Sequence, residues 1–140
     1  LIAVLQESLG KPVLVKIAPD LANEDIAAVA DLALELGLAG VIATNTTIGR
    51  ENLSTDFKTI EAIGAGGLSG APLKSRSIEV LRLLQARMNG RSAIISVGGI
   101  ETPAEAQERI ANGATLVQGY SGWIYSGPFW ARRINKSFSK

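Results

Sequence analysis

None of the strand-like runs in this sequence is joined to the next by a hairpin, and this restricts the possible folds more than any other feature. Short β-branched or apolar runs lie at residues 12–18, 40–44, 93–97 and 114–118, and a segment of helical pattern separates each from the next. Antiparallel neighbours can be linked by a two-residue turn, whereas parallel neighbours need a long crossover. The order α-β-α-β-loop-α-β-α-β-α therefore predicts an α/β fold with parallel strands and right-handed crossovers. Two architectures satisfy it: a small doubly wound sheet, or half of an eight-stranded barrel whose full length is about 250 residues.

The local signals agree with that order. Val13, Val15 and Ile17 form a β-branched run between Lys11-Pro12 and Pro19-Asp20. In the helix that follows, Asn23 is the candidate N-cap, and Glu24 and Asp25 put negative charge in the first turn. Gly37 suits the left-handed position beyond the end. Ile26, Val29, Ala30, Ala33 and Leu36 share one face. Residues 40–44 are nearly all apolar, as in a strand covered on both faces.

A helix over 74–88 turns Ile78, Leu81, Leu84 (or Gln85) and Met88 inward and closes at Asn89-Gly90. Thr102-Pro103-Ala104-Glu105 reads as a capping box with proline at the first helical position, in a helix ending at Gly113. A last helix begins near Pro128 and carries Phe129, Trp130 and Ile134 toward the body, with Trp123 also packed beneath it. Arg132, Arg133, Lys136 and Lys140 are left as a solvated basic face. Between residues 45 and 72 runs a long connection rich in Thr, Ser and Gly, with one helical turn near 59–63. Loops of this length usually carry function. The opening Leu1-Ile2-Ala3-Val4-Leu5 reads as the interior of a helix ending at Gly10, which favours the half-barrel.

Composition narrows the chemistry. With 140 residues, 46% apolar and 19% charged, the chain suits one ordered domain. Fourteen Lys and Arg against 13 Asp and Glu leave a net charge of +1, so nucleic acid and anionic membrane surfaces lack an electrostatic case. Cysteine and histidine are absent, which excludes disulfides, thiolate metal sites and Ser-His or Cys-His catalysis. No apolar run approaches the ~20 residues of a spanning helix. No metal-ligand set or catalytic residue is assigned, and Glu61 and Glu101 read as solvated.

In parallel α/β folds, ligands bind at the C-terminal ends of the strands. Lys16 alternates with Val15 and Ile17, so it faces either a barrel interior or, by snorkelling, solvent. Thr44-Asn45-Thr46-Thr47 follows the second run and offers hydrogen bonds to a planar polar ligand, or else to its own backbone turn. The long loop carries Gly64-Ala65-Gly66-Gly67-Leu68-Ser69-Gly70, whose amides are open to an anion. Gly98-Gly99 and Gly119-Tyr120-Ser121-Gly122 are turns after the last two runs. Such a pair forms the phosphate site of an α/β barrel.

Several stretches together resemble class 2 dihydroorotate dehydrogenase over essentially the whole chain. They are Lys16-Ile17-Ala18-Pro19-Asp20-Leu21, Thr44-Asn45-Thr46-Thr47, Gly66-Gly67-Leu68-Ser69-Gly70, Val97-Gly98-Gly99-Ile100 and Leu116-Val117-Gln118-Gly119-Tyr120-Ser121-Gly122, with Gly127-Pro128 after them. The resemblance implies a TIM (β/α)8 barrel that binds flavin mononucleotide (FMN), oxidises dihydroorotate to orotate in pyrimidine synthesis, and reduces a quinone. Lys16 and Thr44 would then contact the flavin ring. Gly70, Gly98, Gly99, Tyr120 and Ser121 would surround its phosphate, and Asn45 and Thr46 would bind orotate.

In that family these motifs belong to the second half of the barrel. The serine base, several substrate asparagines and the membrane-docking N-terminal helices belong to the first. The expectation is therefore a C-terminal half-barrel of about four strands over residues 1–140, inactive alone. It would be completed by the N-terminal half or by self-association, in a cytoplasmic parent attached to the inner membrane. The alternatives are a non-catalytic module that binds a phosphorylated ligand, and a structural remnant without a ligand.

Overall fold

A computed structural model describes residues 11–139. The expected helix over residues 1–10, and Lys140 of the basic face, lie outside the described residues. Strands β1 (Leu14–Ile17), β2 (Gly40–Ala43), β3 (Ala93–Val97) and β4 (Leu116–Gln118) form one parallel sheet in the order β1-β2-β3-β4. Helices α1 (Asn23–Glu35), α2 (Phe57–Ile63), α3 (Lys74–Met88), α4 (Pro103–Ala111), α5 (Ser121–Ser126) and α6 (Trp130–Lys136) accompany it, with a short 3-10 turn at Ala71–Leu73.

The two faces of the sheet differ. Side chains alternate along each strand, so Ile17, Val41, Ala43 and Ile94 face α1 and α3. There they form a dry core with Ile26, Ala30, Leu81, Leu84 and Met88. Ile100, Ala106, Trp130 and Ile134 make a smaller core beneath α4 and α6. On the other face, Lys16, Ile42, Ile95 and Leu116 stand side by side across the register. No described helix covers that row, and Leu116 is 58% exposed.

This asymmetry decides between the two architectures. A doubly wound sheet carries helices on both faces and reverses its strand order at a switch point. Here the order is sequential and the helices lie on one face, as in the wall of a barrel. The apolar pattern of 40–44 fits a strand with two apolar faces, but among the described residues β2 is covered on one, and Ile42 is half-buried.

Several local expectations are corrected. β1 and β4 are shorter than 12–18 and 114–118, because pairing, not side-chain type, sets strand ends. α1 is N-capped by Ala22, without a side-chain cap. Asn23 is instead the first helical residue, and its Oδ1 accepts from Arg76 Nη1 at 2.9 Å. In α3, Ile78 is half-buried, while Ser77 and Val80 are fully buried.

The turn expected at 119–122 ends at Tyr120, since Ser121 begins α5. That extra helix moves the start of α6 to Trp130, which is buried, and leaves Phe129 and Trp123 at 64% and 44% exposure. Other features stand as read. Gly37 has φ of +63° beyond α1, α3 spans Lys74–Met88, and Thr102 and Glu105 form the capping box. Arg132, Arg133 and Lys136 are exposed.

Candidate functional site

The C-terminal ends of the strands open into a cleft of about 710 Å³, within the size range of small-molecule sites. Lys16, Thr44, Asn45, Thr46, Gly70, Gly98, Gly99, Tyr120 and Ser121 all line it. The residues expected at the flavin and the substrate thus meet in a single cavity, whereas Thr47 and residues 64–68 of the same candidate segments do not line it.

β1 delivers Lys16 on the open face of the sheet, and its ammonium has no carboxylate partner among the described residues. β2 ends at Thr44, whose N–H donates to Val97 O at 2.8 Å and whose side chain is 2% exposed. Its Oγ1 has no hydrogen-bond partner among the described residues. A buried hydroxyl left unpaired costs free energy, so this wall has an unmet polar group for a ligand.

Asn45 and Thr46 follow, both exposed, with Thr46 N–H donating to Asn45 Oδ1 at 2.9 Å. The local turn and the ligand wall thus coexist: Asn45 satisfies its neighbour's backbone and also lines the cleft.

The long connection returns to the site because it is tied at its base. Thr47 and Leu68 form an antiparallel bridge, with N···O distances of 3.1 and 2.8 Å. The Asp20 carboxylate accepts from Thr47 Oγ1 and, at 3.1 Å, from Ile48 N–H. Arg50 donates to Gly49 O at 2.9 Å and to Gly66 O. The tie brings Gly70 beside Ser121, and Ser69 Oγ and Ser121 Oγ lie 2.9 Å apart. Tyr120 is largely exposed beside them.

The third wall is the turn after β3. Gly98 and Gly99 have φ of +118° and +68°, where side-chain-bearing residues are strained. A Cβ on Gly99 would lie 2.8 Å from the backbone N and Cα of Lys74. The N–H groups of Gly99 and Ile100 have no acceptor among the described residues, although both residues line the cleft. Two free amide donors on a glycine turn suit an anion.

Charged residues that the sequence reading did not single out support this turn from behind. Glu105 Oε2 accepts from Glu101 N–H at 2.8 Å and Thr102 N–H at 3.0 Å, and its Oε1 pairs with Lys74. Burial pushes the Glu105 carboxyl up, but the Lys74 ammonium and these amides outweigh it and hold it at about 2. Arg109 is fully buried. Burial draws its guanidinium below the ordinary arginine value, against the pull of Glu108 and Glu105.

In the sequence Arg109 reads as an exposed charge on an amphipathic helix. Its one signal is a position three residues after Ala106, on the buried face. Glu101 was expected in solvent, but it is half-buried and lines the cleft, because the turn folds back under Trp130, whose Nε1 donates to Glu101 O at 2.9 Å. Among the described residues no cluster of acidic side chains could hold a metal ion, and no helix is long and apolar enough to cross a membrane.

The dihydroorotate dehydrogenase family model matches residues 1–140. A dihydroorotate dehydrogenase (quinone) of Rhodococcus erythropolis is 63% identical over 134 residues, which is 96% of this chain and 38% of that protein. One of Thermobifida fusca is 66% identical over 125 residues, or 89% and 33%. A crystal structure of DHODH from Eimeria tenella in complex with ferulenol superposes with a TM-score of 0.82 at 46% identity, covering 90% of this chain and 33% of that one. The chain thus spans little more than a third of the length of the curated relatives it matches.

Proposed function

This chain belongs to the dihydroorotate dehydrogenase family, and we propose that it supplies the flavin cradle and part of the substrate wall of a quinone-reducing dihydroorotate dehydrogenase. The observation that carries this reading is the unmet hydrogen-bonding capacity of one cleft. Among the described residues, buried Thr44 Oγ1 and the Gly99 and Ile100 amides have no hydrogen-bond partner, and the Lys16 ammonium, without a carboxylate partner, shares the cavity. An anion at the glycine turn and a polar planar ring between Thr44 and Lys16 would satisfy all of them, and a flavin mononucleotide has both parts.

On this reading Gly99, Ile100 and the Ser121 hydroxyl hold the phosphate, with Gly70 and Tyr120 closing over it. Thr44 Oγ1 fixes the ring by one hydrogen bond. Lys16 sets a cation against its electron-rich edge, and Asn45 and Thr46 orient the pyrimidine carbonyls of dihydroorotate. When bound, the flavin takes up the electrons of the substrate's oxidation and passes them to the quinone. No side chain described here is placed to take the substrate's proton, so the base comes from elsewhere in the whole protein. The domain is one flavin-binding segment of a barrel, and the whole protein meets its quinone at the inner membrane.

The test is purification of the full-length protein. A yellow protein with flavin absorbance and dihydroorotate-dependent quinone reduction supports the reading, with no turnover by the 140-residue chain alone. A colourless full-length protein that binds simple sugar phosphates would replace it with a non-catalytic phosphate-binding module.

A further inference from the structure

We propose that Arg109 is a positioning residue that sets the polarity of the glycine turn, holding the Gly98 carbonyl inward so that the Gly99 N–H faces the ligand's phosphate. The inference rests on the flavin reading above. Arg109 leaves the last turn of α4 and runs beneath the cleft, where Nη2 donates to Gly98 O at 3.0 Å and Ser77 Oγ donates to the same oxygen at 2.8 Å. In a trans peptide the C=O and the N–H of the next residue point in opposite directions. An oxygen drawn into the protein body therefore turns the Gly99 N–H outward, to the side on which Gly99 lines the cleft.

Between two glycines nothing intrinsic selects that orientation, since neither has a Cβ to disfavour the flipped peptide. The selection has to come from the partners of the carbonyl. Arg109 also ties the turn to α3, through Lys74 O at 3.1 Å and Ser77 Oγ at 2.8 Å.

The charge of Arg109 supports the same conclusion. A fully buried guanidinium usually faces a carboxylate, yet every group it bonds here is neutral: two carbonyls and the hydroxyls of Ser77 and Ser96. Its Nε has no hydrogen-bond partner among the described residues. Glu105, on the same helix, is engaged by Lys74 and two backbone amides. Arg109 is thus a buried cation without a hydrogen-bonded anion among the described residues, and it donates to the peptide that carries the Gly99 N–H.

The experiment compares FMN with riboflavin, which lacks the phosphate, by fluorescence titration of the deflavinated full-length protein. Wild type and the variants Arg109→Gln, Arg109→Lys and Ser77→Ala are measured, each with an apo-protein thermal melt. Arg109→Gln is expected to weaken FMN at least tenfold and riboflavin less than twofold. Arg109→Lys, which keeps the charge, should recover part of the FMN loss, and Ser77→Ala should show a smaller loss of the same selectivity.

Equal weakening of both flavins, or no weakening of either, would overturn the assignment and leave Arg109 a packing residue. If Arg109→Gln does not fold, the FMN-to-riboflavin ratios of Arg109→Lys and Ser77→Ala decide by the same criterion. Wild-type protein that binds neither flavin would refute the flavin reading itself, and this inference with it. Wild-type binding with unchanged ratios refutes this inference alone.

Discussion

Glu105 and Lys74 form an ion pair that ties the first turn of α4 to the first residue of α3, across the back of the Gly98-Gly99 turn. The same carboxylate caps α4 through Glu101 and Thr102 N–H. One side chain thus joins two helices and orders the loop between them, and the cleft inherits its third wall from that junction.

The first prediction concerns acid. The folded-state pKa of Glu105 lies at about 2, below its ordinary 4.5. Its contribution is therefore fully present above pH 4.5 and is lost as pH falls toward 2. With the Lys74 side chain 41% exposed, solvent screening reduces the full linkage value to on the order of 2 kcal/mol. Glu105→Gln should lose about that much stability at pH 7 in urea titrations and should flatten the stability profile between pH 4.5 and 2. An unchanged acid limb would show that the pair contributes nothing.

The second concerns Thr44. Replacing its unpartnered Oγ1 by a methyl, as in Thr44→Val, removes a polar group without opening a cavity. Apo-protein stability should hold or rise by up to about 1 kcal/mol. FMN affinity should fall about tenfold, the net worth of one hydrogen bond. A melt that drops by several degrees would mean that the hydroxyl already has a partner.

The third concerns the clasp of the long connection. Asp20 holds Thr47 Oγ1 and Ile48 N–H, in the two residues that follow Asn45-Thr46 in the chain. Asp20→Ala should speed proteolytic nicking between residues 50 and 66, and on the proposed function it should raise the full-length protein's KM for dihydroorotate more than it lowers kcat. Unchanged nicking would assign control of the loop to the Thr47–Leu68 bridge and Arg50.

The fourth tests the core. Leu84 of α3 is fully buried in the core shared with α1 and the sheet, so Leu84→Ala should cost about 2–5 kcal/mol. Lys16→Met, on the open face, should cost less than about 0.5 kcal/mol while weakening FMN binding. A large stability loss at Lys16 would mean that its ammonium has a structural partner.

Much of the molecule was legible in the linear pattern. The alternation of strands and helices, the parallel pairing and the strand-end segments that meet in the cleft follow from local rules. β-branched runs, helical periodicity, the Thr102-Glu105 box and glycines after strands act over a few residues, and their meaning does not depend on distant parts of the chain.

What the tertiary structure alone decided depends on contacts between remote positions. In α4 the apolar Ile110 is 37% exposed while the charged Arg109 is fully buried. The face was chosen by acceptors that other elements bring to that point: the Ser77 hydroxyl, the Gly98 carbonyl and the Lys74 carbonyl. The direction of the Gly98 carbonyl, the start of α5 at Ser121 and the orphaned Thr44 hydroxyl are of the same kind. A sequence specifies which polar groups exist, but their pairing inside a desolvated interior is settled when the elements pack, because there each buried group takes the partner that geometry leaves within reach.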